Sequence, residues 1–559
     1  MNDATWILIS SLDPDVEIFN GNSILNFYDD SLNIHWEDRN INASGSWGLI
    51  SDEEGQLQFY TNSCSVFSYD DNLMENGDSL NYPQPLWDFY CEDGYPEFGN
   101  TLIIPFPNTA NCYLLFYLKR MNVFSSPEFL YAKINMNLNE GKGKVELKNF
   151  LLMQGNFEKS SGVKHSNGRD WWVLVPGNTD SKYYRLLATP SGITGPHEQT
   201  IVGVSQDSIY ISGTKLFSPD GTKYVDCNSN NGINIFDFDR CSGLLSNFQY
   251  IPNAVGAAFH NLAISPNSRY LYLSLTNTGK LIQYDLTSDD IASTGDTVGV
   301  YDGFYDSLAN HATVFSFMQL APDGKIYMPT QSRLMHVIQD PNQPGTACNF
   351  EQRAIELPSA VGYPITPHFP NYRLGPIDGT PCDTLGINNI PVAKFRCKAD
   401  QDDPLSIIFT DLSYYEPTQW SWDFDDGSGG STEVNPVHAY EDYGVYDVCL
   451  TVSNPYGTDT WCKQISIIPT ATGDLPQQDG FLLYPNPASE ELHLAYTLSH
   501  SGDFRVIFYN ALGQQVIEMP LTQQSGDIVI PLKALPSGMY YGVVDDGRRV
   551  VFRGKVVKQ

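Results

Sequence analysis

Three histidines, His165, His260 and His311, with Arg169 and Asp170 beside the first, are the side chains best suited to acid–base or metal chemistry. Asp423, Asp425 and Asp426 stand together before a glycine-rich stretch, where carboxylates can offer oxygen ligands to calcium. The competing role for these aspartates, and the favoured one, is an acidic solvated edge that discourages strand pairing. There is no Gly-x-Ser-x-Gly elbow, no His-Glu-x-x-His, no phosphate loop and no dinucleotide fingerprint, and His197-Glu198 lacks a second histidine four positions on. Such absences do not exclude an enzyme whose site is assembled from separate strands.

Ten cysteines occur, with no Cys-x-x-Cys pair and no Cys/His cluster at zinc spacing. One pair follows from register. Two alternating runs flank the turn Asn454-Pro455-Tyr456-Gly457. Hairpin partners keep a constant index sum, and Cys449 with Cys462 shares that of Asn454 with Gly457. Opposed positions lie within disulfide reach, so the reading is a Cys449–Cys462 disulfide, with two buried thiols as its alternative. A disulfide implies an oxidising compartment. The other pairings stay open, Cys227 with Cys241 being one option.

The elements that must position these residues are strands. Gly 45, Pro 35, Tyr 33, Phe 29 and Trp 9 make a turn-rich, aromatic-rich composition, and no long stretch carries a 3.6-residue apolar period. The expected fold class is all-β. Ser218-Pro219-Asp220-Gly221, Ser265-Pro266-Asn267-Ser268 and Ala321-Pro322-Asp323-Gly324 each follow one apolar strand and precede another. Fainter copies lie near residues 52–55, 107–108 and 166–168. Multi-stranded repeats of this size are blades of a β-propeller, which stack and close because one blade cannot cover both its faces. Seven blades are expected, six and eight being alternatives, with a strand near Trp6 completing a blade with residues around 350–370. In the register of the turn prolines His260 aligns with Gly213 and Ser316, so the histidines form no ring of equivalent positions. Surface or core hydrogen bonding is the favoured role for them.

The 559 residues carry 32 Lys+Arg against 65 Asp+Glu, a formal charge of −33 that repels phosphate backbones and anionic lipid. Nucleic acid is therefore not an expected partner. No apolar run is long enough to cross a bilayer, so no transmembrane segment is expected.

Three resemblances divide the chain. Gln56–Asn62, Lys164–Trp172 and Gln319–Tyr327 resemble segments of WD-repeat or surface-layer propellers found ahead of secretion modules in Bacteroidota proteins, and residues 1–378 are taken as that propeller. After a Gly- and Pro-rich linker near 376–390, Trp422-Asp423-Phe424-Asp425-Asp426-Gly427 resembles the signature of a polycystic kidney disease (PKD) domain, with Asp425 where the family has glycine. This resemblance implies an immunoglobulin-like sandwich over 388–470, serving as spacer or binding module. A second linker near 470–480 leads to Tyr484-Pro485-Asn486-Pro487, then Asn510-Ala511-Leu512-Gly513, then Leu535-Pro536-Ser537-Gly538-Met539-Tyr540 and a basic final strand. That order resembles the type A sorting domain of type IX secretion. Over residues 479–559 it implies a second small sandwich, passage through the type IX machinery, and removal by a sorting protease. The product would be secreted or held at the outer-membrane surface after passing the periplasm.

Such cargo needs an export signal, yet Met1-Asn2-Asp3-Ala4-Thr5-Trp6 has no basic and apolar leader. A missing or misassigned N-terminus is the expectation. The function expected is non-enzymatic binding of a surface protein or glycan by the propeller, with calcium the one cofactor considered. The alternative is an extracellular propeller hydrolase or lyase acting on carbohydrate or lactone, and a third reading is a structural part of an adhesion apparatus. A channel-mouth cluster of His, Asp, Glu and Arg would favour the enzyme; a channel plugged by apolar side chains would favour the binder.

Overall fold

The structure, a computed structural model, describes residues 2–9, 22–27, 32–37, 39, 47–82, 91, 101–119, 128–178, 181–203, 213–228, 232–252, 260–362, 365–400, 403, 405–442, 444–467, 481–484, 488–489, 491–497, 504–510, 514–521, 525–545 and 550–558. Among these the chain is all-β, and its helical segments are short 3₁₀ turns. It divides into two compact units, Met1–Asn389 and Ile390–Gln559.

In the first unit seven antiparallel sheets follow one another among the described residues, apart from one small hairpin. The first strands of the seven are Thr5–Leu8, Gly48–Ser51, Thr101–Pro105, Ser161–Lys164, Lys215–Phe217, His260–Ile264 and Gln319–Leu320. Each sheet is a meander whose strands pair in chain order, so each brings its own short turns and no crossover. First strands of successive sheets lie beside one another from the first sheet through the seventh. The repeated turns account for the chain reversals. Backbone bonds run from Gly221 N to Ser218 O (2.8 Å), Ser268 N to Ser265 O (2.8 Å) and Gly324 N to Ala321 O (3.0 Å). The closing residue takes positive φ in each, 73° at Gly221, 60° at Ser268 and 78° at Gly324, which glycine adopts without steric cost.

Burial is shared between neighbours. Ile7, Ile9 and Ile24 of the first sheet pack with Leu49 and Tyr60 of the second. One large cluster joins the second, third and fourth sheets through Phe59, Phe116 and Trp171. Tyr183 and Phe236 join fourth to fifth, Val225 and Leu271 fifth to sixth, Tyr272 and Met328 sixth to seventh. The series then closes. Trp6, Leu8, Leu25 and Phe27 of the first sheet share a core with Tyr327, Met335 and Val337 of the seventh. The Trp6 ring stands 6.0 Å from that of Tyr327 and 5.0 Å from that of Phe27. Ser23 Oγ donates to the Ser359 carbonyl at 3.1 Å, and Gly362 N donates to the Ile9 carbonyl at 3.2 Å.

Disulfides join Cys64 to Cys91 and Cys241 to Cys382. A Cys227–Cys241 pair does not form. Cys227 faces the core shared by the fifth and sixth sheets, where burial pushes its thiol up to about 12. Cys241 lies in the turn after Gly232–Phe238, outside that core. The stretch expected to be a linker is tied down at its start: besides the Cys382 disulfide, Ile377 N donates to Ser166 O at 2.8 Å.

In the second unit, residues 393–467 form two three-stranded sheets around Phe395, Phe409, Trp422, Phe424 and Leu450. The alternation Trp420, Trp422, Phe424 places apolar rings inward. Gly444–Asn454 pairs with Gly457–Ile467 with Cys449 opposite Cys462, and a disulfide joins them. From Phe481 on, two further antiparallel sheets enclose Leu492, Leu494, Val506, Phe508, Tyr540 and Val556.

Closure makes Trp6 a keystone, since its ring contacts both the first and the seventh sheet. Trp6→Ala is expected to destabilise the first unit by about 3–5 kcal/mol, the range for emptying a large aromatic site in a packed core. Denaturant unfolding checks this; an equal loss from truncating exposed Trp36 would contradict it.

Candidate functional site

His165, Arg169 and Asp170 lie together in the turn between the first and second strands of the fourth sheet, and their polar atoms are committed to that turn. His165 Nδ1 accepts from Asn167 N at 3.0 Å, so Nε2 carries the proton and donates to the Cys241 carbonyl at 3.1 Å. Burial is the main cause that lowers the proton affinity of this imidazole. Asp170, also buried, accepts from Arg169 Nε at 2.7 Å and Asn167 Nδ2 at 2.9 Å. These contacts make a braced turn, with no polar atom of His165 left to act on a substrate.

The other two histidines are elsewhere. His260 begins the first strand of the sixth sheet, the opposite end of a first strand from His165, and its side chain lies outside the described residues. His311 pairs with Asp306 in a two-stranded hairpin, Tyr305–Asp306 with His311–Ala312, between the sixth and seventh sheets. That hairpin exposes Phe304, Tyr305 (52%) and, at its tip, Leu308 (72%). Arg353 braces its base, its guanidinium 4.6 Å from the Phe304 ring and paired with Asp302 at 2.5 Å.

One segment of the chain bridges several sheets of the first unit. Residues 365–377 touch sheets that are not neighbours. Arg373 donates two bonds to Asp3 at 2.7 and 2.8 Å, before the first sheet. Tyr372 OH donates to Ile103 O of the third sheet at 2.8 Å, and its ring meets Trp171 of the fourth at 5.9 Å. Asn371 Nδ2 donates to Pro219 O, in the first turn of the fifth sheet, at 2.6 Å. Phe369 packs on three cores and lies 6.5 Å from Trp6. This one segment therefore ties together the first, third, fourth and fifth sheets. Sequence reasoning missed it, because proline- and aromatic-rich residues 363–377 carry no strand periodicity.

A polar cleft of about 540 Å³ lies where the turns of the fifth and sixth sheets meet, lined among others by Asp220, Lys223, Asn247, Gln249, Arg269 and Asp289. Its charged groups are largely paired, Lys223 with Asp237 at 2.5 Å and Arg269 with Asp285 at 2.8 Å.

In the second unit the three aspartates take separate partners. Asp423 Oδ1 accepts from Asp425 N at 3.1 Å, and Asp425 Oδ2 from Asp447 N at 2.9 Å. Asp426 binds Ser428 Oγ at 2.6 Å and His438 Nε2 at 2.7 Å. Among the described residues no group of three or more His, Cys, Asp or Glu side chains is arranged to hold a metal ion. Asp425 takes positive φ (59°), the conformation a glycine in its place would adopt freely. Pro485, Asn486, Pro487 and Gly513 lie outside the described residues. Gly538 opens a strand opposite Lys558, and Tyr540 is buried with its hydroxyl donating to Pro536 O at 2.8 Å.

Burial opposes charge on Asp426, but hydrogen bonds from Ser428 and His438 outweigh it and hold the carboxyl at about 2. Its folded value thus lies below the unfolded one near 4, so its stabilisation is full above about pH 4 and lost as pH falls through 2. Asp426→Asn is expected to lower the melting temperature of the full chain's PKD-type sandwich at pH 7, with the difference closing toward pH 2. Calorimetry at both pH values checks this; a pH-independent difference would contradict it.

The family described as PKD domain matches residues 388–468. The family described as secretion system C-terminal sorting domain matches residues 482–559. No curated protein matches the chain. Among solved structures, the PKD1 domain of the Vibrio cholerae metalloprotease PrtV is 32% identical, covering 14% of this chain and 94% of its own, with a TM-score of 0.13. PorZ, a surface component of the type IX secretion system of Porphyromonas gingivalis, is 12% identical over 96% of this chain and 80% of its own, TM-score 0.23. Citrobacter koseri AztD is 11% identical over 64% of this chain and 84% of its own, TM-score 0.34. Among the described residues no helix is long and apolar enough to cross a membrane. The chain therefore carries a PKD domain followed by a C-terminal sorting domain of type IX secretion, and that tail supports an exported surface or secreted protein.

Proposed function

We propose that this is a non-enzymatic binding protein of the cell surface or its surroundings, in which a seven-bladed propeller, residues 1–378, recognises a protein or glycan. The packing of residues 369–373 carries this reading. A channel enzyme would need polar groups facing an open cavity, whereas this segment, which bridges several sheets, offers packed rings at Phe369 and Tyr372 and a guanidinium paired with Asp3. The seven successive sheets, and the packing of the first on the seventh, support the blade count. A hydrolase or lyase would need acid–base groups converging on a cavity, whereas His165 and Asp170 brace a turn. Recognition falls to the rim, where the hairpin bearing Tyr305 and Leu308 presents apolar surface without burying it.

The PKD domain, residues 388–470, serves as spacer or secondary binder. The tail, residues 479–559, folds as a second small sandwich that the type IX machinery engages and the sorting protease removes.

Two outcomes test this. In a type IX-competent host, with a Sec signal supplied, the full chain is expected at the surface or in the medium, and a chain lacking residues 480–559 in the periplasm. Fractionation with immunoblotting checks it; surface delivery of the shortened chain would contradict it. In a screen of glycans and surface proteins against the full chain, Tyr305→Ala/Leu308→Ala is expected to weaken a specific ligand about tenfold or more, the scale of losing central aromatic and apolar anchors. Turnover of a carbohydrate or lactone, abolished by altering residues 369–373, would replace binding with catalysis.

A further inference from the structure

Between the fourth and fifth sheets lies a buried ionic group that neither recognition nor export uses. Lys215 and Asp226 are directly opposed on the first two strands of the fifth sheet, and Lys215 Nζ lies 2.9 Å from Asp226 Oδ1. Glu158, which approaches from the connection before the fourth sheet, places Oε2 2.5 Å from the same nitrogen. The three side chains are 1%, 3% and 2% exposed, respectively. Tyr183 OH donates to the other oxygen, Asp226 Oδ2, at 2.9 Å. Tyr183, Tyr224 and Phe236 supply an aromatic wall to this region.

We propose that Lys215 and Asp226 are joined by an intramolecular isopeptide bond, with Glu158 as proton carrier. A proton passes from the Lys215 ammonium to Asp226 Oδ1, leaving an amine and a carboxylic acid. Nζ attacks Asp226 Cγ and the Nζ–Cγ bond forms. Glu158 takes the proton that leaves the nitrogen and delivers it to Oδ1, the Cγ–Oδ1 bond breaks, and one water departs. Glu158 ends as it began. Ammonium and carboxylate have become amide and water, with no oxidant or reductant involved. Oδ2 becomes the amide oxygen, and the Tyr183 hydroxyl stabilises the charge that develops there.

Three physical reasons support the step. Strand register holds Lys215 Nζ 2.9 Å from an oxygen of the carboxyl it would attack, which lowers the entropy cost of bringing the two groups together. The three side chains are almost fully buried, which opposes reversal by bulk water. An ion pair enclosed in a low-dielectric interior carries a desolvation cost that conversion to a neutral amide relieves. Burial, together with the nearby Asp226 charge, holds the Glu158 carboxyl above the usual range despite Lys215, which suits it to accept a proton. Burial also opposes charge on Lys215, but Asp226 and Glu158 outweigh it and raise the ammonium's hold on its proton, so reaction waits on transfer within the cluster.

The test is peptide mapping of the full chain, reduced and denatured, by mass spectrometry after trypsin. Expected is no cleavage after Lys215 and one fragment joining residues 186–223 to residues 224–240, lighter by one water than the two peptides together. Glu158→Gln is expected to restore cleavage and separate the fragments. Unlinked fragments from the folded wild-type chain would overturn the proposal, as would a water loss confined to an Asp-Gly step such as Asp220-Gly221 without a link. A link that persists in Glu158→Gln would overturn the part assigned to Glu158. The wild-type map decides the bond itself, whether or not that variant folds.

Discussion

A four-stranded antiparallel sheet rich in Val, Ile, Leu, Phe and Tyr on both faces cannot cover itself, and the first unit follows from that constraint. Each sheet lends one face to its predecessor and one to its successor, which leaves the first and last with an uncovered face each. Packing Trp6, Leu25 and Phe27 against Tyr327 and Val337 removes both exposed faces at once. Without this contact the cores between the other sheets would remain, but the series would end in two apolar surfaces open to water.

The segment after the seventh sheet adds long-range ties to this closure. Residues 371–377 bond to Asp3, to the third and fifth sheets, and to the turn that holds His165 and Asn167. There Arg240 Nη2 donates to Gly375 O at 2.6 Å, and Cys382 is bonded to Cys241. His165 and Asp170 are engaged in fixing that turn. The hairpin at residues 305–312 and the polar cleft stay open at the surface. Under the binding role proposed above such rigidity is an advantage, because a recognition surface held in one shape loses less entropy when it meets its ligand.

The sandwiches of the second unit rest on a simpler rule. Alternation decides which face is inside, so Trp422 and Phe424 enter the core while Asp423 and Asp425 stay at the edge. The acidic loop spends its carboxylates on backbone N–H groups, on Ser428 and on His438, and so stabilises its own turn.

Much of this was legible in sequence order because the interactions are local. Pro, Asp and Gly in the repeated turns specify a backbone shape within four residues. Strict alternation specifies a face. The constant index sum of a hairpin specifies that Cys449 opposes Cys462, and the ordered C-terminal motifs identify the delivery tail. The rest depends on contacts between distant positions, which no local spacing encodes. Cys241 and Cys382 are 141 residues apart and meet only once the segment after the seventh sheet has returned to the turn of the fourth. Lys215 and Asp226 look like ordinary strand residues until Glu158, from the connection before the fourth sheet, is brought against them. His165 changes from a candidate acid–base group to a turn brace only when the Cys241 carbonyl reaches its ring. Turn and strand preferences are properties of neighbouring residues, whereas the environment of a side chain belongs to whatever folding places around it.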